Sequence, residues 1–109
     1  MTQDSSNNGK TVAIISYLTL IGWIVALIMN NNNKTELGSF HIRQMLGVLI
    51  VAVLLSFAGS LSGSATISMI FSGLSFVIWL IGFIGAVQGS KKPIPVIGDY
   101  FQDWFKGIG

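Results

Sequence analysis

Five consecutive residues, Phe40-His41-Ile42-Arg43-Gln44, put an aromatic ring, an imidazole, a guanidinium and a carboxamide closer together than anywhere else in the chain. Such a set could move a proton, bind an anion or fasten a helix. His41 is the only histidine and there is no cysteine, so the roughly four ligands of a structural zinc site cannot be assembled. Nucleophilic catalysis needs a base oriented by a third group, and the carboxylates Asp4, Glu36, Asp99 and Asp103 all fall outside the apolar runs. No glycine-rich phosphate loop is present. These residues exclude an enzyme with its own chemistry and imply no cofactor, metal or catalytic residue.

The elements that must carry the cluster are hydrophobic. Apolar residues make up 51% of the chain and charged residues 9%, against about a quarter charged in ordinary soluble domains. A chain of 109 residues has too few charges to cover a small domain's surface in water, and a net charge of +2 argues against nucleic acid. Thr11 to Met29 is apolar apart from hydroxyls, the Tyr17 phenol among them, and as one helix it measures about 28 Å, close to the hydrocarbon thickness of a bilayer. From Gln44 to Ser90 there is no Asp, Glu, Lys or Arg, and one straight helix of that length would run to about 70 Å. It must fold back, and the small residues of Gly59 to Ser68 mark the reversal. The expected fold is therefore all-α, a bundle of three transmembrane helices over residues 11–29, 40–58 and 67–87. Three crossings put Lys10 on one side and Lys34, Arg43, Lys91, Lys92 and Lys106 on the other, which places the C-terminus in the cytoplasm and the N-terminus outside. With no charge deep in a span, proton relays and voltage sensing lack their usual groups.

The flanks read as follows. Residues 1–10 form a polar, disordered tail, and Asn30 to Gly38 is a solvated connection. Gly89 ends the third helix, with Lys91 and Lys92 placed for lipid head groups, and Pro93 and Pro95 stop the helix there. In the tail, residues 91–109, the residues Ile97, Tyr100, Phe101, Trp104, Phe105 and Ile108 recur at helical spacing opposite Asp99, Gln102, Asp103 and Lys106. This pattern predicts an amphipathic helix in the cytoplasmic interface, anchored by Tyr100, Phe101, Trp104 and Phe105.

Small residues suggest how helices meet. Gly82, Gly85, Ala86 and Gly89 give small-xxx-small spacings on the third span, suited to close packing within one copy, between copies or against other membrane subunits. Ser56, Ser60, Ser64, Ser68 and Ser72 fall four apart and would share one face if helix continued through the turn. In the five-residue cluster, Ser39 is placed to cap the second helix, Phe40 to sit at head-group level, Arg43 to reach back to phosphate, and His41 and Gln44 to face the same polar zone. The cluster reads as a membrane-interface motif.

The box Phe40-His41, Arg43-Gln44 after a short polar loop resembles a family of small bacterial membrane proteins similar to the Tic-twenty-like component of the chloroplast protein import apparatus. Gly85-Ala86-Val87-Gln88-Gly89 and Pro95-Val96-Ile97-Gly98 are similar to that family's glycine-rich exit and proline-bearing tail. The resemblance implies a non-enzymatic subunit or organiser of a membrane assembly connected with protein translocation, and brings no catalytic or cofactor residue. The competing expectation is a small channel or carrier built from several copies, with the serine series lining its path.

Overall fold

The computed structural model of the chain describes residues 2–18 and 20–108, with side chains from Gly9 onward. The described residues form helices α1 (Thr2–Ser16), α2 (Leu20–Asn32), α3 (Glu36–Ser62), α4 (Ala65–Val87) and α5 (Gly98–Trp104). Two of them, α3 and α4, are long and apolar enough to cross a membrane, and α2 is shorter.

The fold is thus all-helical, but among the described residues two helices, not the expected three, are long and apolar enough to cross. Residues 11–29 do not make one helix: the chain turns between Ser16 and Leu20, and α1 and α2 pack against each other as a hairpin. Tertiary bonds explain the break. The Trp79 indole donates to the Tyr17 carbonyl at 2.6 Å, and the Tyr17 hydroxyl lies 2.8 Å from His41. Ser16 Oγ donates back to the Ala13 carbonyl at 2.6 Å. The hairpin packs against α3 around Met45 and Val48, which share a core with Ala13 and Tyr17. Residues 2–10, expected as a disordered tail, belong to α1, where Gly9 packs against Thr35 and Leu37.

The second and third elements are longer than expected. Thr35, not Ser39, caps α3: its side chain accepts from the Gly38 amide at 2.9 Å. Ser39 instead lies one turn inside, where its Oγ accepts from Asn30 Nδ2 at 3.0 Å. Asn30 Oδ1 accepts from the Thr35 amide at 3.2 Å, so this asparagine is a buried brace of the α2–α3 connection rather than part of a solvated spacer. The α3–α4 reversal needs only Gly63 and Ser64. Gly63 takes the left-handed conformation at φ 68°, which a residue with a Cβ resists, and Ser64 caps α4 by accepting from the Ile67 amide at 3.3 Å. The serine series is therefore split. Ser56 and Ser60 stay on α3, Ser64 is a cap, Ser68 Oγ bonds the Gly59 carbonyl at 3.0 Å, and Ser72 is on α4. At the other end of α4, the Gly89 amide donates to Ala86 and the Ser90 amide to Gly85, a Schellman closure with Gly89 at φ 67°.

The α1–α2 hairpin packs beside the first half of α3 and the last part of α4, while the far half of the α3–α4 pair stands alone. There Val53, Leu54, Phe57, Leu61, Met69 and Ile70 are all exposed. The molecule is correspondingly elongated, 53 Å by 23 Å by 21 Å. Gly9 meets Thr35, and the Lys10 side chain approaches Gly89. Lys91 pairs with Glu36 at 2.8 Å, and Arg43 bonds the carbonyls of Lys106 and Ile108. The middle of α1, at Gly9 and Lys10, and the C-terminal helix consequently lie at one end of the molecule, not at opposite ends as three crossings require. Every Lys and Arg of the chain is gathered there.

Candidate functional site

Among the described residues, a chain of buried polar side chains is built around the five-residue box. His41 is 0% exposed and Gln44 1%, so neither faces a head-group zone. Both point from α3 into the seam between α1, α4 and the chain that follows α4. His41 Nε2 lies 2.7 Å from the Ser90 carbonyl, which can only accept, so that nitrogen carries the proton. With the ring neutral, Nδ1 accepts from the Tyr17 hydroxyl at 2.8 Å. The same Tyr17 oxygen accepts from Gln44 Nε2 at 2.7 Å, and Gln44 Oε1 accepts from the Ile94 amide at 2.9 Å. The bonds run in one direction, from the Ile94 N–H through Gln44, Tyr17 and His41 to the Ser90 carbonyl. Among the described residues no buried side-chain polar atom lacks a partner.

This relay fastens three parts of the chain that sequence separation keeps apart. Tyr17 brings the hairpin tip, His41 and Gln44 bring α3, and Ser90 and Ile94 bring both ends of the loop after α4. Two indoles support it. Trp79 stacks on Phe83 at 5.1 Å while holding the Tyr17 carbonyl, and Trp23 Nε1 donates to the Ile42 carbonyl at 2.9 Å. The Trp79 bond satisfies a carbonyl that the turn takes out of the helical ladder.

The other box residues work on the C-terminal helix. The Phe40 carbonyl accepts from Gln102 Nε2 at 2.7 Å. Arg43 Nε and Nη2 donate to the carbonyls of Ile108 and Lys106 at 2.9 and 3.2 Å, so its guanidinium holds the end of the chain instead of reaching freely outward. The Phe101 ring lies flat on Gly47, where any Cβ would collide with it. Phe101 is buried and Phe105 half-buried against the core, while Tyr100 and Trp104 are exposed, 5.4 Å apart. The amphipathic pattern thus divides into a face docked on α3 and an outer aromatic pair.

The glycine stripe of α4 is used within the chain. A Cβ on Gly82 would lie 2.5 Å from Tyr17 Cε1, and Ala86 is fully buried. Gly85 faces His41 at ordinary contact distance. Residue type and spacing do not single out Trp79, Asn30 or Ile94, and the signal for Tyr17 is its phenol within an otherwise apolar run.

Fold and site together define a helical protein with two membrane-length helices and a hydrogen-bonded relay at one end of them. No family model matches the chain, and no curated protein or solved structure matches it.

Proposed function

We propose that this chain is a non-enzymatic integral membrane protein of a bacterial-type plasma membrane, serving as a subunit or organiser of a membrane assembly. The observation that carries the reading is the division of the α3–α4 pair into a saturated half and a bare half. At the relay end, Gly82 and Ala86 are packed inside the chain, and the buried polar side chains all have partners there. On the far half, Ala52, Ser56 and Ser60 form a small-residue trough on α3 beside Leu49, Val53 and Phe57, with a volume of about 450 Å³. Apolar surface alone does not drive helices together in lipid, whereas such a trough lets a neighbouring helix approach closely. The resemblance of the Phe40–Gln44 box and the Gly85–Gly89 exit points the assembly toward protein translocation.

Two crossings with all six cations at one end satisfy the positive-inside bias without exception, so both tails belong in the cytoplasm. The chain has no cysteine, which makes labelling clean. In oriented vesicles, Lys10→Cys and Asp103→Cys should react with an impermeant thiol reagent from the same face, and Leu61→Cys from the other. Reaction of the two tails from opposite faces would restore the three-span arrangement and remove this topology.

The assembly itself is tested by crosslinking in mild detergent followed by mass spectrometry. Ser56→Trp should abolish the crosslinked species, and Met69→Trp, on the exposed surface of α4, should leave it intact. The exposed Ser56 and Ser60 hydroxyls also suit the wall of a path between copies. Solute flux through liposomes holding the purified chain alone, lowered by Ser60→Leu, would favour that channel reading over the subunit reading.

A further inference from the structure

The cation-bearing end contains an open cleft of about 570 Å³ that the relay does not use. Lys34 comes to it from the α2–α3 connection, Glu36, Ser39 and Arg43 from α3, Lys91 from the loop after α4, and Gln102 from α5. Three cations from three segments face one carboxylate, leaving the cleft net positive. Glu36 holds only Lys91, in an exposed pair at 2.8 Å, and exposed pairs of this kind hold their partners weakly. Arg43 spends two of its five N–H donors on the carbonyls of Lys106 and Ile108. Those bonds fix the guanidinium at the cleft wall, an arrangement suited to a planar, multi-donor grip on an anion's oxygens.

We propose that this cleft binds the phosphate of an anionic phospholipid head group. Its setting favours lipid over a free anion. Tyr100 and Trp104, 55% and 66% exposed, lie on α5 at the same end, and such rings favour the depth of lipid head groups. The outer face of α2, with Ile21, Ile24 and Ile28 exposed, continues the apolar surface from this end toward the far half, where acyl chains would run. Basic pockets between membrane helices on the cytoplasmic side hold acidic head groups by the same chemistry.

The inference rests on the membrane placement proposed above, and its test separates the two. The full chain is reconstituted in nanodiscs of phosphatidylcholine alone or with phosphatidylglycerol, and bound lipid is read by native mass spectrometry and by thermal stability. Phosphatidylglycerol should be retained and should raise the melting temperature over phosphatidylcholine. The double variant Lys34→Gln/Lys91→Gln should weaken that retention about thirtyfold, at roughly a fivefold loss for each lysine. Lys10→Gln/Lys92→Gln removes the same charge from outside the cleft and should preserve it. Equal retention in both double variants, or no preference for phosphatidylglycerol, overturns the site. Equal stabilisation by inorganic phosphate in phosphatidylcholine nanodiscs overturns the lipid assignment. Release of the wild-type chain from native membranes by alkaline carbonate would instead overturn the membrane placement.

Discussion

Gly82→Leu is expected to expel the Tyr17 ring from α4 and detach the α1–α2 hairpin, leaving α3 and α4 helical. The closeness of the fit sets the size of the effect. Even the first carbon of a side chain at Gly82 would stand 2.5 Å from Tyr17 Cε1 and 2.9 Å from its hydroxyl, and Tyr17 is completely buried. The ring cannot swing aside without breaking its bonds to His41 and Gln44. Gly82→Ala should therefore cost about 1–3 kcal/mol, the usual range for overpacking, and the leucine should exceed it. Two neighbouring glycines calibrate the result. Gly85→Ala meets only His41 Cε1 at 3.6 Å and should be mild, and at the exposed Gly73 a Cβ meets nothing within 4 Å, so Gly73→Leu should be neutral. Stability is read by denaturant unfolding in detergent, and hairpin release by the thiol reactivity of Ser16→Cys, a fully buried position. If Gly82→Leu left that thiol protected while disrupting self-association, the glycine would serve contacts between copies and the intramolecular seat would be wrong.

The contrast between Thr11–Met29 and the two long helices shows what a sequence can and cannot disclose here. Helices α3 and α4 were legible because hydropathy over their length is a local property, and the turn between them is announced by small residues. The break after Ser16 has no such signal. The stretch Ile15 to Leu20 holds neither glycine nor proline, and its composition suits an unbroken span. What stops the helix is Trp79, sixty-two residues away, taking the Tyr17 carbonyl. Once that run is halved, two membrane-length helices remain among the described residues, and Lys10 joins the other cations. The same limit applies to the site. Phe40, His41, Arg43 and Gln44 were picked out by type, but helical spacing says only that His41 and Gln44 share a face. Whether that face meets lipid head groups or a buried tyrosine depends on where the hairpin docks. The four-residue serine period means a shared face only while one helix continues: helix does extend into the turn region, but Gly63 interrupts it between Ser60 and Ser68.

Removing His41 tests whether the relay is a single cooperative unit. His41→Leu leaves the buried Tyr17 hydroxyl without an acceptor and the half-buried Ser90 carbonyl without its donor. A buried polar group left unpaired costs about 1–3 kcal/mol, and membrane proteins fall toward the low end because their unfolded chains find other partners, so a loss of about 2 kcal/mol is expected. Tyr17→Phe should cost a similar amount by orphaning Gln44 Nε2 and His41 Nδ1. The double variant should cost less than the two added together, by about 0.5–3 kcal/mol, because both single changes break the same Tyr17–His41 bond. Hydrogen exchange then locates the damage. In His41→Leu the Ile94 amide should stay protected, since Gln44 Oε1 still accepts from it, whereas Gln44→Leu should expose that amide. Strict additivity of the Tyr17 and His41 losses would mean the two groups act separately. The seam would then be held by packing on Gly82, by the Trp79 bond and by separate bonds such as His41 to the Ser90 carbonyl, with no coupling through the Tyr17–His41 bond.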